Sequence, residues 1–357
     1  MMLSPWTAEP NRTPGPMDKV VGILLGGTII ALALATLLSL LARHGWLLDL
    51  LTFARQHLVV IGLVLAGAAL RTKRRRWALA AGALAACNLV LVLAQAGPGA
   101  LTSRASASGV ELRVLTLNLL AENYYTKRVV RYLRASGADI VALQELTPYW
   151  AEKLAELQDI YPYVSPPLQP WKSSSVILSR HPFVEAGAMR APADTVTGKW
   201  NRPLRAVVDV GSERIAVYVV HPETPRSLQQ WQMRNRYFAW LGEEVRRLDG
   251  ERPRIVLGDF NTPPWSPFLQ DFAAAAEVHQ AAAGLRWPTR QPLILAPYLS
   301  WLGAPVDHIL LSPGLEAAAF TVGSDVKSDH LPVIADVWLP AHHDGPSPHP
   351  SAARPAR

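Results

Sequence analysis

The chain has 357 residues, half of them hydrophobic and only 18% charged, with a net charge of +7. That length accommodates two modules, one of them large enough for a sizeable core, and the single cysteine, Cys87, excludes an intramolecular disulfide framework. The positive balance fits a nucleic-acid partner, but five basic residues sit in one run, Arg71-Thr72-Lys73-Arg74-Arg75-Arg76, between two apolar stretches. There a membrane-topology signal is the favoured reading, and nucleic-acid or lipid-headgroup binding is the alternative.

Residues 1–16 are rich in Pro, Thr and Asn and read as a disordered tail, and 17–96 read as a transmembrane region. Val20–Ala42 is an apolar run of 23 residues, long enough to cross a bilayer and too long for a simple signal peptide. Further spans are predicted at 47–70 and 77–94, with a re-entrant pair as the alternative for these two. Lys and Arg in short loops stay cytoplasmic. Residues 71–76 are therefore inside, and the third helix runs outward. The expectation is a multi-pass cell-membrane protein whose remaining chain is extracytoplasmic.

Residues 97–110 are rich in Gly, Ala and Ser and read as a linker, and 341–357, rich in Pro, His and Ser, as a disordered tail. Between them, 111–340 has the texture of an α/β domain. Candidate strands fall at Leu112–Leu117, Asp139–Leu143, Ser175–Leu178, Leu204–Val210, Ile215–Val220, Arg254–Leu257, Val306–Leu311 and Leu331–Trp338. Val129, Val130 and Leu133 recur at helical spacing, as do apolar residues within Gln229–Leu248.

The chemistry is legible in where polar residues fall. Asn118 ends one apolar strand, Glu145 a second, His221 a third, and Asp259 and Asn261 a fourth; Asp307-His308 and Ser328-Asp329-His330 precede two more. One such placement is a turn or a cap. Together they point to one mouth of one sheet-based domain. Oxygen ligands such as Asn118, Glu145, Asp259 and Asp329 suit a hard cation, Mg²⁺ or Mn²⁺, and a histidine paired with a carboxylate is stabilised as imidazolium. These parts serve in-line attack by water on phosphorus.

The motifs Thr116-Leu117-Asn118, Leu143-Gln144-Glu145, Val220-His221, Gly258-Asp259-Phe260-Asn261, Val306-Asp307-His308-Ile309 and Ser328-Asp329-His330-Leu331-Pro332-Val333 resemble, in order, those of the endonuclease/exonuclease/phosphatase superfamily. They span essentially all of 112–338. The resemblance implies a four-layer α/β sandwich, two packed mixed sheets flanked by helices, here preceded by about three transmembrane helices. It implies that Glu145 is the principal metal ligand, that Asn118 contacts the metal or orients its ligands, and that Asp329 helps to hold metal. It gives Asp259 the attacking water, Asn261 a phosphate contact, His221 a phosphate or leaving-group contact, and His330, paired with Asp307, the scissile phosphate. Arg205 is a candidate phosphate clamp by guanidinium geometry, a surface strand-end arginine being the equal alternative. His308 reads as a neighbour without a direct role. The sequence departs from many relatives in following His221 with Pro222-Glu223 rather than leucine, which puts the local substrate contacts in doubt.

The expected substrate is a lipid-linked phosphate or pyrophosphate, because the site is tethered to a bilayer by about 15 residues and Leu299-Ser300-Trp301-Leu302 offers apolar side chains. Trp171, Trp200, Trp231 and Trp265 are expected to pack in the core or an interface, or else to line an apolar channel. The layout also resembles the three-helix membrane branch found among teicoplanin-type antibiotic-resistance proteins, which implies polyprenyl pyrophosphate or a related envelope lipid. The alternatives are an extracytoplasmic nuclease, which would need a basic face, and a non-catalytic membrane protein that keeps the fold.

Overall fold

The computed structural model describes residues 15–94, 109–168, 174–197, 201–211, 213–282, 286–291 and 297–340. The chain divides into two compact units, Met1–Val92 and Leu93–Arg357. The expected tails and linker lie outside the described residues, except at 15, 16, 109 and 110.

The first unit is helical: α1 (Pro16–Leu40), α2 (Trp46–Leu50), α3 (Arg55–Arg71) and α4 (Arg75–Leu93). Three helical stretches have the length and composition to cross a membrane: Pro16–Leu40, Trp46–Arg71 and Arg75–Leu93, with mean hydropathies of 2.4, 1.7 and 1.7. Without water between helices, small residues and internal hydrogen bonds drive their association. Gly62 packs so tightly on Ala85 that an added Cβ would stand 2.9 Å from its methyl. Asn88 donates to Thr36 Oγ1 at 2.9 Å, and Arg55 to Ser39 Oγ at 3.0 Å.

Among the described residues the second unit holds twelve strands: β1 (Gly109–Asn118), β2 (Ile140–Gln144), β3 (Tyr163–Ser165), β4 (Val176–Ser179), β5 (Phe183–Ala188), β6 (Leu204–Val210), β7 (Glu213–Val220), β8 (Arg254–Asp259), β9 (His279–Gln280), β10 (Asp307–Leu311), β11 (Glu316–Val322) and β12 (Val333–Pro340). Its helices are α5 (Thr126–Ala135), α6 (Pro148–Leu154), α7 (Leu228–Asp249) and α8 (Pro267–Ala275). The strands form two six-stranded mixed sheets, ordered β11-β12-β1-β2-β4-β3 and β5-β6-β7-β8-β10-β9.

Strand alternation builds the layers. Leu112, Val114, Ile140 and Ala142 meet Ala206, Val217, Val219, Ile255 and Leu257 between the sheets. The opposite-facing Leu115, Leu117, Val141 and Leu143 pack under Val129, Leu133, Trp150 and Leu154 of α5 and α6. On the second sheet Tyr218, Val220, Val256 and Leu310 pack under Tyr237, Phe238, Leu241 and Phe272 of α7 and α8. The four-layer sandwich expected from the sequence is the fold observed.

Register then dictates where the polar strand ends lie. β1 and β2 are parallel, as are β7 and β8, so each pair ends on a common edge. β10 runs against β8, which places its first residue, Asp307, opposite the last residue of β8, Asp259. β12 runs against β1 with Val333 opposite Thr116, which delivers the preceding Ser328–His330 turn to the end of β1.

Candidate active site

Asn118 is the hub of the mouth. Its Nδ2 donates to Glu145 Oε1 at 2.9 Å and to Asp259 Oδ2 at 3.1 Å, while its Oδ1 accepts from the Leu120 N–H at 3.0 Å. Because that backbone donor needs an acceptor, the amide oxygen is turned away from the two carboxylates. In this geometry Asn118 is placed to orient the ligands. Glu145 Oε2 accepts from the Ala121 N–H at 3.0 Å. Asp259 Oδ1 accepts from the Asn261 N–H at 2.8 Å, and Asn261 Nδ2 donates to the Pro222 carbonyl at 3.1 Å. Asn261 is thus tethered through the residue that follows His221.

His330 is fully enclosed. Its Nδ1 lies 2.9 Å from Asp307 Oδ2, and its Nε2 faces Asp259 Oδ2 at 3.6 Å. Burial works against the charged imidazole, but Asp307 and Asp259 overcome it and push its pKa up to about 10. Burial and the Asp259 charge push Asp307 up as well; the shared proton rests on the more basic imidazole. Burial alone would raise Asp259; His330, His221, Arg290 and the Asn261 N–H outweigh it and hold the carboxyl below its ordinary range. His221 Nε2 stands 3.9 Å from Glu145 Oε1 and 3.7 Å from Asp259 Oδ2, and its buried Nδ1 has no hydrogen-bond partner among the described residues.

The donor set fits a divalent cation. Glu145 and Asp259 converge on one amide, Asp307 stands in register beside Asp259, and no lysine or arginine is ion-paired with any of the three among the described residues. Asp259, Asp307 and His330 also bring ligand atoms within 4.8 Å of one another. The hydrogen bond inside the Asp307–His330 pair commits those two to each other, so Glu145 and Asp259 are the better oxygen ligands for a hard ion.

Backbone strain gathers here too. Leu120, Glu145, Asn261 and Lys327 all adopt positive φ, four of the six non-glycine residues that do so among those described.

Two expected site residues are engaged elsewhere. The Arg205 guanidinium is not open to a phosphate: its Nε and Nη2 donate to Asp249 at 2.7 and 2.8 Å, and Nη1 pairs with Glu185 at 3.0 Å. Asp249 is wholly buried and also accepts from Tyr218 Oη at 2.5 Å, so the guanidinium is spent on neutralising it. Asp329 is not joined to the other carboxylates; its Oδ2 faces Arg290 Nε at 3.6 Å. Trp265 is core and Trp231 stacks edge-on against Phe268 at 5.5 Å, while Trp171 and Trp200 lie outside the described residues.

Sequence reasoning assigned no role to the residues that lace the mouth together. Ser328 Oγ donates to the Asn118 carbonyl at 2.7 Å and accepts from the His330 N–H at 3.0 Å. Thr289 Oγ1 accepts from the Val306 and Asp307 N–H groups, both at 3.0 Å. His308 Nε2 donates to the Thr262 carbonyl at 2.8 Å and its Nδ1 accepts from Arg286 at 3.3 Å. His308 therefore ties β10 to the Asp259–Asn261 turn from behind. Ser328 and His308 were visible inside their motifs; Thr289 had no sequence signal.

A sandwich with its polar strand ends gathered at one mouth defines a fold class, and the sequence places the chain within it. Residues 115–330 match the Endonuclease/Exonuclease/phosphatase family, and the chain belongs to that family. No curated protein sequence matches the chain. Among solved structures it is similar to an endonuclease/exonuclease/phosphatase from Bacteroides vulgatus (TM-score 0.52, 15% identity, covering 64% of this chain and 99% of that one). It is also similar to D. rerio TDP2 complexed with single strand DNA product (TM-score 0.52, 16% identity, 64% and 98%). A third is Sphingomyelinase C from Streptomyces griseocarneus (TM-score 0.48, 18% identity, 64% and 99%). The first two likenesses support the fold.

Proposed function

We propose that this chain is a membrane-anchored, divalent-metal-dependent phosphoesterase that hydrolyses a lipid-linked phosphate or pyrophosphate at the outer face of the cell membrane. The observation that carries the reading is the single mouth at which Asn118 holds Glu145 and Asp259 together beside the Asp307–His330 pair. Membership in the family supports it.

Glu145 and Asp259 would hold Mg²⁺ or Mn²⁺, with Asn118 fixing both carboxylates. When bound, the ion neutralises phosphate charge and stabilises the departing oxygen. His330, kept an imidazolium by Asp307, donates its Nε2–H to a phosphate oxygen. Asp259, ionised and held by the Asn261 N–H, orients a water and takes its proton. A new O–P bond forms as the ester P–O bond breaks, and the electron pair leaves with the ester oxygen. His221 faces the same space and contacts phosphate or the departing oxygen, while Asn261 contacts phosphate.

Three apolar helices support a lipid substrate, as do Trp287, Trp301 and Leu302, large side chains exposed by 55%, 51% and 44%. Arg290 and Ala304 pair through their backbones, which brings the segments carrying these side chains together. A tether to the bilayer raises the effective concentration of headgroups at the site, and the Arg71–Arg76 run favours an outward-facing catalytic domain. The layout resembling the teicoplanin-resistance branch supports an envelope lipid.

The test measures cleavage of undecaprenyl pyrophosphate, phosphatidylglycerol and DNA by the full-length protein with Mg²⁺, wild type beside Asp259→Ala. The lipid pyrophosphate should be cleaved fastest, and only by wild type. Preferential cleavage of DNA would make the protein a nuclease, and no cleavage of any phosphoester would make it a non-catalytic member of its family.

A further inference from the structure

We infer that Arg290 binds a second phosphoryl group beside the one under attack, so that the site selects pyrophosphate esters over monophosphate esters. This rests on the phosphoesterase reading above and adds to it a residue and a substrate class.

The placement of Arg290 is fixed by backbone. It bridges Ala304 on one side and His330 on the other. The neighbouring Gln291 N–H donates to the Asp329 carbonyl at 2.6 Å, and the Leu331 N–H to the Thr289 carbonyl at 2.7 Å. Arg290 is therefore laced to the turn that carries His330.

Its guanidinium is nonetheless held only by a loose ion pair. Its ion-pair partner, Asp329 Oδ2, is 3.6 Å from Nε, beyond hydrogen-bond reach, and the side chain is one-third exposed. Among the described residues the guanidinium makes no hydrogen bond. Neighbouring arginines differ: Arg205 is taken by Asp249, Arg286 by His308 and the Ala282 carbonyl, and Arg234 by Asn235 and the Asn261 carbonyl.

Charge balance says what such a group is for. The phosphoryl group under attack would be matched by a divalent ion held at Glu145 and Asp259 and by the His330 imidazolium. Arg290 is a further fixed cation, planar and forked, with free donors, the geometry that recognises another phosphoryl group. In a lipid pyrophosphate, water bonds to the terminal phosphorus and its proton passes to Asp259. The bridging P–O bond breaks, and the bridging oxygen leaves with the electron pair on the lipid phosphate. That leaving phosphate gains negative charge as the bond breaks, and Arg290 neutralises it.

The test uses the full-length protein with saturating Mg²⁺ and has two arms. The first compares kcat/KM for a polyprenyl pyrophosphate and for the monophosphate of the same chain length. The second titrates inorganic pyrophosphate and inorganic phosphate into the protein by calorimetry. Losing one bidentate charged contact in Arg290→Ala should weaken both pyrophosphate readouts by about 10- to 100-fold. Both monophosphate readouts should change by less than about threefold, and Arg290→Lys should recover part of the loss. Arg290→Gln, of similar length without the charge, should behave like the alanine variant with an unchanged melting temperature. Equal losses for the one- and two-phosphoryl ligands, or no loss in either, would overturn the assignment. If wild type cleaves neither lipid while Arg290→Ala still loses inorganic pyrophosphate selectively, the functional reading falls and the Arg290 assignment stands.

Discussion

The Asp307–His330 pair makes its contribution through charge, and that charge has a pH signature. Under the proposed mechanism His330 must be protonated and Asp259 ionised. With Asp259 held below its ordinary range and His330 raised to about 10, activity should be level across neutral pH and fall only as pH rises through about 10. Asp307→Asn removes the carboxylate nearest the imidazole, so the alkaline limb should move to lower pH and activity fall; an unmoved limb in the pH–rate profile would count against the pairing. His308 shows the opposite behaviour. Burial and the Arg286 charge push it down to about 3, so it stays neutral when folded. Unfolded, it titrates near about 6.5. The folded state is then fully favoured above that value and loses this stabilisation as pH falls from about 6.5 toward 3. Thermal melts of His308→Gln at successive pH values should show a shallower acid loss than wild type. Arg205→Ala leaves the buried Asp249 carboxylate to Arg252 and Tyr218 alone and should cost about 2 kcal/mol of stability, read as a lower urea midpoint, with KM unchanged.

Elements decide which of these residues meet. Gly258 shows how tightly: its φ is +147°, and a Cβ there would stand 2.1 Å from the Val220 carbonyl oxygen across the parallel β7–β8 pair. Gly258→Ala must push the two strands apart and move Asp259 with them. It should cost both stability and activity, whereas an exposed helical change such as Glu243→Ala should cost neither; soluble yield and melting temperature check this. Eight strands were legible as β-branched runs because both faces of a central strand are buried here. β3, β5, β9 and β11 were not, because they are short or lie at sheet edges. The sequence Glu316-Ala317-Ala318-Ala319-Phe320-Thr321-Val322 alternates between exposed and half-buried positions and carries little apolar bulk. Site residues at strand ends were legible for the same reason that the central strands were. The arginines were not. Whether Arg205 is free depends on where Asp249, 44 residues on, places its carboxylate, and no local pattern encodes that.

At the scale of the whole molecule, the account joins an anchor to a hydrolase. The Arg71–Arg76 run predicts a sidedness. On a Cys87→Ser background, Thr72→Cys should resist an impermeant maleimide applied to intact cells, and Ser103→Cys should react; the reverse pattern would put the active site in the cytoplasm. Beneath the questions of side and substrate lies the claim that this mouth hydrolyses phosphoesters with a divalent ion. Its most direct test is the rate of phosphate release from undecaprenyl pyrophosphate by the full-length protein, before and after chelation and after Mg²⁺ is restored, beside Asp259→Ala. The account predicts release by wild type that vanishes on chelation and returns with Mg²⁺, and a rate for the variant lower by at least about 10²-fold. A variant as fast as wild type, or a wild-type rate indifferent to chelation, would contradict it.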